Sequence, residues 1–563
     1  MEELSQMRER KGLNVRKPVF IEIHPYLMDH RFAGHAVLPA VEAMQLLAAS
    51  VEAHHPGTDV STIIKARFDK FLPIPQNETI IEAFDETELL ENGNMVSKLI
   101  TIFQARKAAI TRAREHVTLS FSKRKTELLP NLPTDLCAAL EGVCFQIQRE
   151  KIYRDLVPFG PAYQNIRGIL HISENGAIAR VRAPDHPHGC LSLSKNIEAL
   201  GSPFPLDAAF HAACAWGQRF SGIVPFPVGF EKRHVLIPTC AGEEYICKII
   251  PVQSHAPLLI FDIWIHDLEG RVCEALQGVQ MRDVSGGRMK PPEWIMAPSE
   301  PTVASHKSVP VQIGTAGLVS PTGAGKAPEP VEGKTPLKHL SEHCQALSVI
   351  ELETVQDFAD KALSDQELIR FAKMRDKRGR SYLAARLCCK SLSRKLSGND
   401  LNTSPQSITT VSPDLIRPRC PMTDGSLPFS CSVSHDSRFA IAVASESRIG
   451  VDVERASERV LKGQKFYMNE AEQSLAKVSS LGEIQASLRV WSIKEAVSKA
   501  LDIKLTDAWH SVRVTDIGSD KSRILIDKER RWQYVPAFHD TVDDHVFTLV
   551  ILEKQNAHDS EKN

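Results

Sequence analysis

The 563-residue chain has no surplus of charge: 68 lysines and arginines stand against 69 aspartates and glutamates, a formal net charge of -1. Such a balance offers no electrostatic footprint for nucleic acid or for an anionic membrane. No apolar run approaches the ~18–20 residues that cross a bilayer. The opening stretch MEELSQMRERKGLNVRKP is charged and lacks the apolar core of a secretory signal, so the expected location is the cytoplasm. The twelve cysteines include no CxxC, and the one adjacent pair, Cys388 and Cys389, falls in a helical pattern. That usage fits reduced thiols better than a disulfide framework or a zinc site.

What is present is ordinary soluble composition, 42% hydrophobic and 24% charged, over a length that suggests three or four compact units. One stretch breaks the pattern. Residues 289–336 are rich in Pro, Gly, Ala, Ser and Thr without periodicity, which predicts a flexible linker unable to bury enough apolar surface to order itself.

Before the linker the same order of elements occurs twice. VEAMQLLAASVEAHH has the i, i+3, i+4 apolar spacing of a helix, and the strand-like runs STIIKARFDKFLPI, ETIIEAFDE, SKLITIFQAR and EHVTLSFSKRK follow it. PLDAAFHAACAWGQRF is again helical, followed by EKRHVLIP, EEYICKIIPVQ, LLIFDIWIHD and EALQGVQMRDV. A helix followed by antiparallel strands, twice, predicts a duplicated α+β fold. The expected regions are 1–140, 141–288, the linker, and a C-terminal region over 337–555.

Three histidines crowd HPYLMDHRFAGHAVLPA: His24, His30 and His35. Their spacing matches neither HExxH nor a His-x3–5-His ligand pair, which argues against a metal cluster. The run His30-Arg-Phe-Ala-Gly34-His-Ala-Val-Leu-Pro39 resembles the HxxxGxxxxP motif of polyketide and fatty acid synthase dehydratase domains. LVPFGPAYQNI (156–166) is similar to their YGPxFQ segment, with Tyr163 in place of its Phe, and LDAAFHAA (206–213) to their DxxxQ/H motif. The resemblance implies a double hot-dog fold that removes water from 3-hydroxyacyl thioesters. His30 is then the base, Asp207 the acid, and His211 the residue that orients Asp207 or the hydroxyl. Gly34 would let backbone approach the thioester oxygen, Pro39 would start the helix, and His24 and His35 would be structural. The residue types suit the work: imidazole titrates near neutrality, and an apolar pocket can keep a carboxyl protonated.

Beyond the linker, Val451-Asp-Val-Glu-Arg455 alternates apolar and acidic residues, so on a strand Asp452 and Glu454 share one face. Trp491, Glu495 and Lys499 share one helical stripe. Three carboxylates brought together would form a hard-oxygen site suited to Mg²⁺. Ile449-Gly-Val-Asp-Val-Glu454 and Trp491-Ser-Ile-Lys-Glu-Ala-Val-Ser-Lys499 resemble the signatures of 4'-phosphopantetheinyl transferases. The length resembles the surfactin-type class, a pseudo-dimeric α+β domain in one chain. LPFSCSVSHDSRFAIAVA (427–444) is similar to the family's SHS stretch, and RSYLAARLCCKSL (380–392) to its first helix. The resemblance implies that Asp452, Glu454 and Glu495 hold Mg²⁺ and that Glu495 also deprotonates the incoming serine. Lys494 and Lys499 would offset phosphate charge, while Arg386, Lys390, Ser434 and His435 grip coenzyme A. Gly425-Ser-Leu-Pro428 lacks the basic residue of the family's Gly-Lys/Arg-Pro, and SHDS replaces SHSG.

No DSL- or DSI-type serine heads a helix here, so the expected partner is an acyl carrier protein, or a carrier domain of a synthase, in trans. Two other readings stay open for the N-terminal part: an inactive hot-dog module that docks carriers, and an isomerase or cyclase using a similar His/Asp pair. Hot-dog sheets commonly pair edge to edge, which also leaves a homodimer open.

Overall fold

The computed structural model describes residues 15–104, 111–123, 132–185, 197–297, 337–412, 417–528 and 531–552. Pro39, in extended conformation, caps helix α1 (Ala40–His54), whose Val41, Met44, Leu47, Ala48 and Val51 are all buried. Helix α2 (Phe204–Phe220) is buried on every side from Phe204 to Gln218. A helix apolar all round must lie inside the protein, and Asp207 and His211 are carried inward with it.

One thirteen-stranded antiparallel sheet wraps both helices. From the edge strand Val15–Glu22 it runs through Ile80–Leu89, Met95–Gln104 and Thr111–Ser122 to Asp59–Phe68. It continues through Phe226–Phe230, Val272–Arg282, Leu258–Asp267, Glu244–Gln253, Gly176–Arg182 and Ile166–Ser173 to Phe145–Gln148, and Lys232–Val235 pairs with both Val272–Arg282 and Asp59–Phe68. The seam between the halves is Phe230 opposite Ala66 and Arg233 opposite Ile63. Two halves of this sheet, each curled around its own helix and meeting at that seam, make a double hot-dog.

Five strands of this sheet were not among the sequence expectations: Val15–Glu22, Phe145–Gln148, Ile166–Ser173, Gly176–Arg182 and Phe226–Phe230. The first carries Pro18, which a sheet tolerates because this strand is an edge. The expected linker is also shorter at its start. Glu293–Met296 is helical, Ile295 is fully buried and accepts a hydrogen bond from Arg219 Nη1 at 2.6 Å, and Lys151 Nζ sits 3.6 Å from the Trp294 ring centre. Trp294 and Ile295 give this Pro-rich stretch the apolar anchor that composition averages away. The remainder of the expected linker, 298–336, lies outside the described residues.

The chain divides into two compact units. The first gathers the residues up to Met296 with Ser348–Leu427 and Arg438–Ala440; the second takes Pro428–Ser437 and the chain from Ile441 onward, with Ala297–Leu347. The expected boundary at 337 is therefore not where the units part. In the first unit, helix α3 (Asp376–Leu396) is buried over most of its length. In the second, a five-stranded sheet in the order Arg448–Arg455, His545–Leu552, Arg531–Val542, Lys521–Lys528, Val512–Asp516 packs on helix α4 (Glu483–Leu501) through Val490, Ile493, Val497, Ile524 and Val550. Among the described residues, no helix is long and apolar enough to cross a membrane.

Candidate active sites

In the first unit a cavity of about 410 Å³ opens between α1 and α2, and His30, Asp207 and His211 all line it. Its other walls are mostly apolar: Leu38, Phe68, Val117, Phe159, Phe210 and Met281 among them. His30 follows a 3-10 turn, Pro25–Asp29, and precedes a two-residue hairpin turn at Ala33 and Gly34, both with positive φ (49° and 83°). That pair of positive angles is the reason for the motif's glycine. No protein atom lies within 4 Å of a side chain built at Gly34.

His30 Nδ1 is 3.0 Å from the Val37 carbonyl, which only accepts, so Nδ1 carries the proton and Nε2 keeps its lone pair. Burial lowers the pKa of His30 below that of a free imidazole, although Asp207 pulls the other way. The ring packs on Phe159 at 4.3 Å and Tyr163 at 5.2 Å between centres. That aromatic segment is tied back to His30's neighbour: Asp29 accepts hydrogen bonds from Gly160 N (2.8 Å) and Ala162 N (3.0 Å).

Asp207 and His211 are one turn apart on α2, with Oδ2 and Nε2 separated by 3.0 Å and both side chains about 95% buried. Sequence reasoning missed Tyr153. Its hydroxyl accepts from Ile166 N at 2.9 Å and is 3.4 Å from His211 Nδ1. Burial raises its pKa well above that of a free phenol, so the hydroxyl stays protonated beside His211. No local pattern in KIYRDL announces this. His24 stacks on Tyr26, and His35 is exposed on the hairpin.

In the second unit the two signatures meet through a close approach. A Cβ at Gly450 would lie 1.9 Å from Ala496 O, so only glycine lets α4 press onto the strand Arg448–Arg455. Residues 450, 452 and 454 share that face. Asp452 and Glu454 thereby reach Glu495, and ligand atoms of the three carboxylates all lie within 4.8 Å of one another. Asp452 is nearly fully buried; its Oδ1 accepts from Ser434 (2.9 Å) and Lys499 (3.0 Å), its Oδ2 from Ser492 (2.8 Å). Ser492 was missed although it sits inside the Trp491–Lys499 signature.

Burial, then the neighbouring carboxylates Asp452 and Glu495, push the Glu454 carboxyl up to about 7, against a hydrogen bond from Trp491. Burial likewise raises Glu495, opposed by Lys499. Burial works against the Lys499 ammonium, yet Asp452 and Glu495 together hold its pKa above the usual lysine value. A buried site whose carboxylates also repel one another is short of positive charge, and an all-oxygen donor set fits a hard divalent cation.

The remaining expected residues divide. His435 is exposed and Ser434 is buried against Asp452. Lys494, expected to offset phosphate charge, is fully buried and donates to Tyr467 O, Glu472 Oε2 (2.8 Å) and Trp509 O (3.4 Å). Lys390, in the first unit, is also fully buried and donates to Glu367, Pro405 O and Ile408 O. An ammonium has three protons, and in both lysines protein oxygens take all of them; this departs from the expectation of phosphate contacts. Arg386, on the same helix as Lys390, is buried with Nη1 bonded to Thr410 O at 2.6 Å.

Residues 448–550 match the family model of the 4'-phosphopantetheinyl transferase superfamily. Residues 146–291 match that of the polyketide synthase dehydratase N-terminal domain, a span that includes Asp207 and His211 and stops short of His30. No curated protein matches the chain. Similar solved structures include a trans-AT polyketide synthase dehydratase domain from Brevibacillus brevis (17% identity, 48% of this chain and 94% of that one, TM-score 0.39). Others are the RzxB dehydratase domain from Pseudomonas fluorescens (18%, 48% and 97%, 0.38) and the PpsC dehydratase domain from Mycobacterium tuberculosis in complex with C12:1-CoA (18%, 48% and 96%, 0.36). The chain thus joins a dehydratase-type region to a phosphopantetheinyl transferase-type region.

Proposed function

We propose that this chain is a bifunctional enzyme of polyketide- or fatty-acid-type biosynthesis. It transfers 4'-phosphopantetheine from coenzyme A to a serine of an acyl carrier protein, and it dehydrates 3-hydroxyacyl thioesters borne on that arm. One observation supports the reading above all: residues distant in sequence converge twice, His30 with Asp207 and His211 in one cavity, and Asp452 with Glu454 and Glu495 on one helix–strand face.

In the cavity, neutral His30 takes a proton from C2 at Nε2 while Asp207, as the acid, protonates the departing C3 hydroxyl. The C2–H and C3–O bonds break, C2=C3 forms, water leaves, and the proton held by His30 returns to Asp207 before the next turnover. His211, one turn along and 3.0 Å away, positions the Asp207 carboxyl for the substrate.

In the second unit Asp452, Glu454 and Glu495 would hold Mg²⁺, which when bound supplies a hard Lewis acid for the coenzyme A diphosphate. Glu495 takes the proton of the carrier serine, directly or through water, as that oxygen attacks the β-phosphorus and 3',5'-adenosine diphosphate departs. Lys499 offsets phosphate charge, while Ser434 and Ser492 fix the Asp452 carboxylate. His435 contacts the nucleotide. Lys494 and Lys390 act instead as buried pins.

Incubation with apo-carrier protein, coenzyme A and Mg²⁺ should add the phosphopantetheine mass to the carrier, and 3-hydroxyacyl carrier should give the enoyl product. His30→Gln should abolish only the second reaction and Asp452→Asn only the first. Absence of enoyl product from the unaltered protein would leave a docking module in place of the dehydratase; a product formed without loss of water would indicate an isomerase or cyclase.

A further inference from the structure

A long tether between two catalytic regions raises their effective concentration without any contact between them. The first unit shows something different. The helix Thr134–Ala138 and the chain after it, to Gln148, lie against residues 348–400, which precede the transferase signatures. Arg394 Nε and Nη2 are 3.1 and 3.2 Å from the Asp135 carboxylate, with both side chains at most 3% exposed. Its other donors go to Asp400 O at 2.7 Å and Thr403 O at 2.8 Å. Glu351, fully buried, accepts from Cys144 N at 2.7 Å and pairs with Arg438 at 3.2 Å.

Backbone joins the two sides as well: Gly142 N donates to Val349 O (2.9 Å), Gln356 N to Ala138 O (2.6 Å), and Leu140 N to Thr354 Oγ1 (3.2 Å). Ser391 Oγ reaches Glu141 at 2.9 Å, and Phe358 packs edge-on against His266 at 5.3 Å. Ala138, Leu140, Ile350 and Phe358 are all nearly inaccessible. Charges are buried only when paired, and apolar surface this dry is not left exposed by a freely moving domain.

We infer that Thr134–Gln148 is a built docking seat for residues 348–400 of the same chain, closed by the buried Asp135–Arg394 pair, so that the fragments before and after residues 298–336 stay associated even when the peptide between them is cut.

The test uses the full chain with a specific protease site placed within residues 298–336 and cut after folding. Gel filtration at micromolar concentration should show both fragments in the volume of the uncut chain, at about 1 M salt as at low salt, because buried pairs are weakly screened. Two separate peaks from the cut wild-type protein would overturn the inference. Asp135→Asn and Arg394→Met, each stranding one buried partner, should weaken association of the cut fragments by at least about 100-fold. Unchanged association in both variants would overturn the role given to the pair. If either variant fails to fold, the cut wild-type protein still decides.

Discussion

The Lys499 ammonium stands 3.0 Å from Asp452 Oδ1. It also reaches Glu495 Oε1 at 3.2 Å, so one cation already balances two of three crowded carboxylates. Its side chain keeps about a quarter of its surface exposed, so the pair contributes less to stability than to the charge balance of the site.

Replacing Lys499 with Met should therefore lower phosphopantetheine transfer by roughly 10–100-fold, the loss typical of a supporting group at a metal site, with little change in melting temperature without metal. The rise in melting temperature on adding Mg²⁺, followed by scanning calorimetry, should be larger in the variant than in the wild type.

Lys494 should behave oppositely. Its partner Glu472 is as buried as the lysine and also accepts from Val514 N and Asn469 N. Lys494→Met strands that carboxylate and should cost about 3–5 kcal/mol in urea unfolding. Adding Glu472→Gln, which removes the charge and keeps an acceptor, should recover part of the loss. A wild-type unfolding midpoint for Lys494→Met would refute the pinning role.

The lowered pKa of His30 fixes the sign of a pH profile. A base that is neutral above its pKa loses activity as pH falls through it. Dehydratase kcat/KM should thus hold steady down to about 6.5, the free-imidazole value, and decline only below it. An acid limb centred above that value would contradict the buried position.

Tyr153→Phe deletes the hydroxyl shared by Ile166 N and His211 Nδ1. Dehydration should slow roughly tenfold, about 1.4 kcal/mol or one hydrogen bond, while the transferase reaction is unaffected. The acid limb assigned to His30 should stay in place, because the hydroxyl touches His211 and not His30.

His539 lies fully buried between Ser522 (2.9 Å) and Thr548 (3.0 Å), and burial lowers its pKa to about 3. The unfolded chain binds a proton near pH 6.5 that the folded state refuses, so stability falls as pH drops from there toward 3. This residue should contribute a slope of about 1.4 kcal/mol per pH unit. His539→Gln should flatten that part of the curve in urea titrations run at successive pH values.

Helices α1 and α2 were legible because an apolar stripe or a wholly apolar helix is written in consecutive residues. Leu258–Asp267 was legible for the same reason, as an unbroken strand pattern. Val15–Glu22 was not: Pro18 reads as a break unless the strand is known to be an edge. The Asp452–Glu454–Glu495 group could be expected from two short signatures. The fates of Lys494 and Lys390 could not, since a lysine in a motif looks the same whether its ammonium meets a phosphate or a buried glutamate such as Glu472 or Glu367.

Periodicity and short motifs are local, and the sequence alone determined what is local: two helix-and-strand repeats, a His-Gly-Pro turn, an acidic strand and a Trp-Lys-Glu-Lys helix. Only the tertiary structure put Nε2 of His30 in the same cavity as Asp207, gave Tyr153 to His211, and seated residues 348–400 on Thr134–Gln148. Those relationships depend on which burial costs are offset by which partners, and partners distant along the chain are chosen by packing.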